Sequence, residues 1–317
     1  MLWPTVRARR APCFVLLTVA VACGARDTDR GTAVLAVSVA SSLARPVRTA
    51  LDSFAAGAGV TIQQESGGSL DLVRRITDLG RVPDLLLLAD ADLMVQLVVP
   101  AHAAWHATFA RNRLVIAYSD RSRHAADLTV ATWRDVLTRA DVDVARADPA
   151  RAPVGYRTLL AWQLAARALG DSGLPARLVA RAPSRNLRPS EAEVVALVQA
   201  GEVDYAWTYE STARAAGLRV LVLDGRYDFG AVAESSTYAA VSMRLPGGGS
   251  RESVTVHGTP IVYALTVPRA AHDTAGGARA AAFLLSPRGR RILHAAGLDV
   301  LDAPVVTGNA PAAVRTP

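Results

Sequence analysis

Apolar and polar positions along this chain change period at regular intervals, and each change marks an element. Ala33–Val39 is a β-type apolar run. Ala44–Ala56 follows with Val47, Leu51 and Phe54 at helical spacing and Pro46 in a first-turn position. The pattern then predicts a strand at Val60–Gln64, a helix at Leu70–Leu79, a strand at Asp84–Leu88 and a short helix at Leu93–Val98 closed by Pro100. Leu114–Tyr118 and Val142–Ala147 read as strands, each followed by a helix, at Trp133–Thr138 and Tyr156–Leu169. Glu191–Ala200 and Glu210–Ala216 read as helices ended by Gly201 and Gly217, with strands after them at Val203–Trp207 and Leu218–Leu223. Val241–Leu245 and Ser253–Val256 flank Pro246-Gly-Gly-Gly-Ser250 and predict a hairpin. A strand at Ile261–Val267 and helices at Ala278–Leu285 and Gly289–Ala296 close the pattern. Strands alternating with helices predict an α/β fold with mostly parallel sheets. Ala303–Pro317, rich in Pro, Ala, Gly and Thr, reads as a frayed tail.

The start of the chain has a different pattern. Arg7, Arg9 and Arg10 precede an apolar run, Cys13–Ala22, too short to span a bilayer and suited to the core of an export signal. The run ends Ala20-Val21-Ala22-Cys23-Gly24, which resembles a bacterial lipoprotein cleavage site. Residues 1–22 are therefore expected to be a signal peptide and Cys23 a lipidation site. The mature protein is then exported, periplasmic or cell-surface, and tethered to the membrane by its lipid.

Charge adds less than it first promises. Of 317 residues, 35 are basic and 28 acidic, a net charge of +7. Every basic residue is Arg and they are scattered, which excludes a clustered nucleic-acid surface. Removing the leader takes three Arg and leaves 32 − 28 = +4. It also leaves Cys23 as the lone cysteine, so no internal disulfide can form.

Four predicted strand-to-helix junctions carry hydroxyl or Gly residues: Ala40-Ser41-Ser42-Leu43, Ser66-Gly67-Gly68-Ser69, Asp148 to Tyr156 with Gly155, and Trp207-Thr208-Tyr209-Glu210-Ser211. Ligands of open α/β sheets sit beyond the carboxyl ends of the strands, where helix starts offer free N–H groups and a positive dipole end. Four such junctions point to an anion. Each Ser is also an ordinary helix cap. No nucleophile elbow, P-loop or dinucleotide fingerprint occurs, and no catalytic acid or histidine pair can be identified. His102 and His106 lack the Glu of a zinc motif and read as solvated, and Asp90 reads as a helix cap.

These segments resemble the tungstate/molybdate-binding proteins of ABC importers, a branch of the class II extracellular solute-binding proteins. The likeness rests on Ser41-Ser42-Leu43, the run Ser66 to Gly80, Phe109 to Tyr118, Pro153-Val-Gly-Tyr-Arg157, Arg188-Pro189 with Gly201 to Tyr205, Gly258 to Tyr263 and Phe283 to Gly289, from about Ala33 to Val306. It implies a two-lobed periplasmic-binding-protein-like fold (type II), each hinged lobe built on a mostly parallel sheet. By analogy one lobe is 33–116 plus 259–304 and the other 117–258, with 305–317 as tail. The implied activity is capture of a tetrahedral oxyanion, molybdate or tungstate first, for a permease driven by an ATPase. No enzyme, cofactor or metal is involved, and a monomer suffices. An oxyanion-sensing lipoprotein without a transport role, and a protein retuned to another anion such as sulfate, are the alternatives.

The resemblance assigns Ser42 and Ser69 as donors, with the other lobe contributing Pro153–Tyr156, including Gly155 and Tyr156, and Thr208. Tyr227 is a further candidate donor, as are Ser41, Gly68 and the Ala152 backbone. Family members of this branch carry a carboxylate just before the Pro-x-Gly-Tyr-Arg run and another two residues after Asp-Tyr-x-x; Ala152 and Thr208 occupy those places here. Asp148 and Glu210 are displaced by four and two residues. The expectation is therefore a cleft without carboxylates, its dianion held by hydroxyls and N–H groups alone. Arg157 is expected on a helix surface.

Overall fold

The computed structural model describes residues 1–3, 33–246 and 253–316. Nearly all of the leader, Cys23 and residues 247–252 lie outside the described residues, and so does the lipidation expectation. Among the described residues no helix is long and apolar enough to cross a membrane. Residues 33–316 belong to one compact unit.

Thirteen strands form the framework: β1 Ala33–Ala40, β2 Val60–Gly67, β3 Leu85–Leu88, β4 Trp105–Arg111, β5 Leu114–Tyr118, β6 Val144–Ala147, β7 Leu187–Arg188, β8 Tyr205–Tyr209, β9 Arg219–Val222, β10 Ser242–Leu245, β11 Val254–His257, β12 Val262–Thr266 and β13 Asp299–Gly308. They build a six-stranded sheet in the order β13-β4-β12-β3-β1-β2, a five-stranded sheet in the order β7-β6-β8-β5-β9, and the β10–β11 hairpin. β1 pairs in parallel with β2 and β3, and β6 with β7 and β8. β12 in the first sheet and β5 in the second run against both neighbours, and β13 runs against β4. Most strands of each sheet therefore point one way, as expected of this α/β class.

The inner strands β3 and β5 read as continuous apolar runs because both of their faces are covered, whereas the edge strand β2 is polar. In β3, Leu85 and Leu87 enter the main core while Leu86 and Leu88 enter a second cluster with Leu72, Val73 and Ile76. That alternation follows from the period of two along a strand. β5 repeats the arrangement: Leu114 and Ile116 face the main core, Val115 and Ala117 a small cluster with Ala213. Helix Ala44–Ala58 buries Val47, Ala50, Leu51 and Phe54, its predicted stripe. Helix Glu191–Ala200 stops at Gly201, whose φ of 75° is left-handed backbone that glycine adopts without strain.

Three expectations need correction. The tail is not frayed: Val305–Gly308 pairs with β4, and Val314 of the short helix Ala312–Arg315 is fully buried. Composition alone hid the apolar anchor residues. β4 is a strand without an apolar signature of its own, because His106 and Thr108 interrupt the pattern, yet its place inside the six-stranded sheet buries it on both faces. His106 is accordingly buried, not solvated, and burial lowers its pKa. In addition, β5 belongs whole to the second sheet, so position 116 falls inside a strand, and β13 extends the first sheet past 304.

The chain passes between the two sheets twice, at 112–113 and at 258–261. The crossings lie side by side: Asn112 N donates to Ile261 O at 3.2 Å, and Asn112 Nδ2 donates to Ser211 Oγ and to the Tyr263 hydroxyl.

Candidate functional site

The parallel cores of both sheets end at one place. In the first sheet Ala40 is in register with Gly67, and Val39 with Leu87. The carboxyl ends of β1, β2 and β3 therefore lie side by side, and Ser41-Ser42, Gly68-Ser69 and Ala89-Asp90 follow them. In the second sheet Ala147 is in register with Arg188, and Val144 with Tyr205. The carboxyl ends of β7, β6 and β8 carry Glu191, Ala152–Val154 and Tyr209. Between them lies a small cleft, about 210 Å³ with its mouth included, walled by Ser41, Ser42, Gly67, Gly68 and Ser69 on one side and by Ala152, Pro153, Val154, Glu191 and Tyr209 on the other.

Helix starts at 41, 69 and 153 meet here. The cleft collects their positive dipole ends; of the first-turn N–H groups, Leu70 N already donates to Arg151 O and Gly155 N to Ala152 O, and Pro153 has none. Ser42 is buried, and its Oγ makes no hydrogen bond of good geometry among the described residues, although the Glu191 carboxyl and the Tyr263 hydroxyl lie close to it. A buried hydroxyl without a partner is costly unless something else satisfies it. Ser69 is fully buried and accepts the Ala89 N–H at 3.1 Å, which leaves its own proton to donate. No group of three or more His, Cys, Asp or Glu suited to a metal ion occurs among the described residues.

The two walls touch. Leu70 N donates to Arg151 O at 3.2 Å, and Arg151 pairs with Asp71 at 2.7 Å. A Cβ on Gly68 would run into the Arg151 carbonyl and lie 3.3 Å from Pro189 O. Gly68 has φ −66°, open to any residue, so close approach alone requires glycine there.

Beneath the cleft lies a buried ion pair. Arg157 is 2% exposed and meets the Asp90 carboxylate at 2.8 Å. It also donates to Ala89 O at 2.9 Å and to the Tyr209 hydroxyl at 3.0 Å. Burial works against its charge, but Asp90 and the Tyr209 and Tyr156 hydroxyls more than offset this and raise its pKa. Asp90 is the helix cap expected from sequence, accepting Asp92 N and Leu93 N, and it is also the partner of Arg157 and of the Tyr156 hydroxyl. The surface expectation for Arg157 is thus overturned. The helix Pro153–Leu169 is buried on most of its circumference, and sequence pattern cannot tell which of its polar residues has a partner inside.

Ser41, Ser42, Gly68 and Ser69 come together at the cleft, as does Ala152 at the opposite wall. Several expected donors are committed elsewhere. The Tyr156 hydroxyl goes to Asp90. The Thr208 hydroxyl donates to Glu191 Oε1 at 2.7 Å, behind the cleft wall. The Ala152 N–H is taken by Asp148 O at 3.1 Å. Gly155 donates to Ala152 O, and a Cβ there would lie 2.7 Å from Asp148 backbone, so this glycine serves close packing of the helix start. Tyr227 packs against Trp133, ring centroids 6.2 Å apart, away from the cleft. Of the displaced acids, Asp148 accepts Ala150 N and Glu210 pairs with Arg113 and Arg214.

The expectation of a carboxylate-free cleft is also overturned. Glu191, 3% exposed, sits in the wall. Its Oε1 accepts the Thr208 hydroxyl and the Tyr209 N–H at 2.7 and 2.8 Å. Burial pushes this carboxyl above the usual range; the Thr208 hydroxyl, the Tyr209 N–H and the hydroxyls of Thr212 and Ser42 pull it back only in part. The sequence held one signal of this. Glu191 is in phase with Val194, Val195 and Val198 on the buried stripe of its helix, where an acid is out of place. The neighbouring capping box, Ser190 with Glu193, offers a sufficient reason for acids in that turn and conceals it.

The profile of a family described as bacterial extracellular solute-binding proteins matches residues 35–299. A molybdate/tungstate-binding protein of Pyrococcus abyssi is 30% identical over 319 residues, covering 92% of each chain. A solute-binding protein of Petrotoga mobilis is 32% identical over 246 residues, 78% of this chain and 77% of its own. Among solved structures, the periplasmic molybdate-binding protein of Azotobacter vinelandii matches with TM-score 0.61 and 17% identity over 83% of this chain and 98% of its own. The sulfate-binding protein SubI of Mycobacterium tuberculosis matches with TM-score 0.58 and 16% identity over 89% of each. At such identities these structures speak to the two-lobed fold.

Proposed function

The chain belongs to the bacterial extracellular solute-binding proteins, which bind and do not catalyse, and from that premise we propose that it captures a tetrahedral oxyanion, molybdate or tungstate first, for an ABC importer. The observation that carries this reading is the meeting of three helix starts at one small cleft, with the buried Ser42 and Ser69 hydroxyls in its wall. The Ser42 and Ser69 hydroxyls and the positive ends of the three helices face one small cleft, which is what a desolvated anion needs. The Pyrococcus relative, whose name gives molybdate and tungstate, covers nearly the whole chain and supports the choice of anion.

In this reading the six-stranded and the five-stranded sheets, with their helices, act as two lobes hinged at the paired crossings 112–113 and 258–261, and the anion closes them. The closed form is what a membrane permease with its ATPase receives. Lipidation at Cys23 keeps the monomeric protein at the membrane outside the cell.

Molybdate, tungstate and sulfate, added separately to the mature protein, are expected to raise its melting temperature, since a ligand bound only to the folded state stabilises by mass action. Ser42→Ala and Ser69→Ala each remove a hydrogen bond to a charged group, worth about 1.5–3 kcal/mol, and are expected to weaken binding at least about tenfold by calorimetry. Unchanged affinity in both variants overturns the site.

A further inference from the structure

The donors of the cleft call for an anion, and Glu191 stands among them. Thr208, Tyr209, Thr212 and Ser42 face its carboxyl with hydroxyls and one N–H, from helix and strand neighbours on both walls. Tyr263 lies near it as well, its hydroxyl accepting from Asn112. Among the described residues no arginine or histidine pairs with it. The buried Arg157 reaches Tyr209 but is held by Asp90. An ionised Glu191 would repel a dianion in a dry cleft and draw the Ser42 proton away from it.

We propose that Glu191 is a specificity-determining residue that is protonated beside the bound anion and donates a hydrogen bond to it, so that one proton is taken up with the oxyanion wherever the free carboxyl is ionised. The inference rests on the oxyanion reading above. Oε1 accepts from Thr208 and Tyr209 in either state, which leaves Oε2 to carry the proton. The proton comes from solvent and returns there on release. Burial already raises the pKa of this carboxyl, and a neighbouring dianion raises it further. The cleft then favours anions that carry no proton of their own. An ionised carboxylate would do the reverse and select an anion that can donate, such as hydrogen phosphate.

Calorimetry with molybdate, sulfate and phosphate, from about pH 6 to about pH 9, tests this against the Glu191→Gln variant. In the variant the amide oxygen accepts from Thr208 and Tyr209 and the amide nitrogen donates, which copies the protonated acid. In the wild-type protein, molybdate or sulfate affinity is expected to fall up to about tenfold per pH unit once the free carboxyl ionises. Titrations in two buffers of different ionisation enthalpy, in the pH range where affinity falls, should count about one proton taken up per anion, and none where affinity is level, a measurement that needs no variant. Glu191→Gln should hold its low-pH affinity across the range and take up none. Anion binding with no proton uptake and the same pH profile in both proteins overturns the inference and leaves the functional reading standing. Phosphate bound more tightly than sulfate, and lost in Glu191→Gln, overturns it in favour of an ionised acceptor. Binding of no oxyanion by either protein at any pH overturns the functional reading and the inference with it.

Discussion

Replacing Arg157 with methionine is expected to lower the unfolding free energy by about 3–5 kcal/mol, the usual penalty for leaving one member of a buried ion pair alone. Arg157 and Asp90 are 2% and 5% exposed at their side chains, so water cannot take over the lost contact. The guanidinium also satisfies Ala89 O and the Tyr209 hydroxyl, and both would lose a donor. Asp90 cannot move away, because its other oxygen caps the turn at Asp92 and Leu93. Denaturant titration of the wild type and Arg157→Met gives the difference directly. The double variant Arg157→Met/Asp90→Asn removes the orphaned charge while keeping a cap, and should recover part of the loss. A single variant within about 1 kcal/mol of the wild type would show that the pair contributes nothing here.

Gly68→Val should act on binding and spare the fold. The side chain points at the Arg151 carbonyl across the cleft, a backbone group that cannot swing aside. On the proposed lobe closure, separating the walls relieves the clash, so the ligand-free protein should unfold near the wild-type midpoint. Closing the cleft around an anion then costs about 3 kcal/mol, the upper end of ordinary overpacking, or roughly a hundredfold in affinity for tungstate or molybdate. Calorimetry reports the affinity and denaturant unfolding the stability. Equal losses in both would mean that Gly68 packs a permanent interface. Wild-type affinity would mean that the walls stay apart when the anion binds.

Much of the site was legible where chemistry follows strand ends. Ser41, Ser42, Gly68 and Ser69 stand at the first two strand-to-helix junctions, and parallel pairing of β1 with β2 brings them together. Thr208 and Tyr156 were selected by the same logic from the other sheet, but their hydroxyls go to Glu191 and Asp90. A junction predicts that a side chain is near the cleft. It does not predict which neighbour takes its proton, because those neighbours lie 17 and 66 residues away in sequence.

The sequence by itself determined the alternation of strands and helices, the junctions that gather donors, and a family likeness that the comparisons bear out. These are local properties: apolar period, Gly and Pro punctuation, and motif spacing act over a few residues each. The tertiary structure alone decided what is buried and beside what. It gave Arg157 a carboxylate, anchored the C-terminal residues through Val314, and turned an acid on an apolar helix stripe into part of the cleft wall. Desolvation depends on the whole surroundings of a group, so the same glutamate that a capped helix carries to solvent becomes, at Glu191, a carboxyl whose pKa is raised by burial.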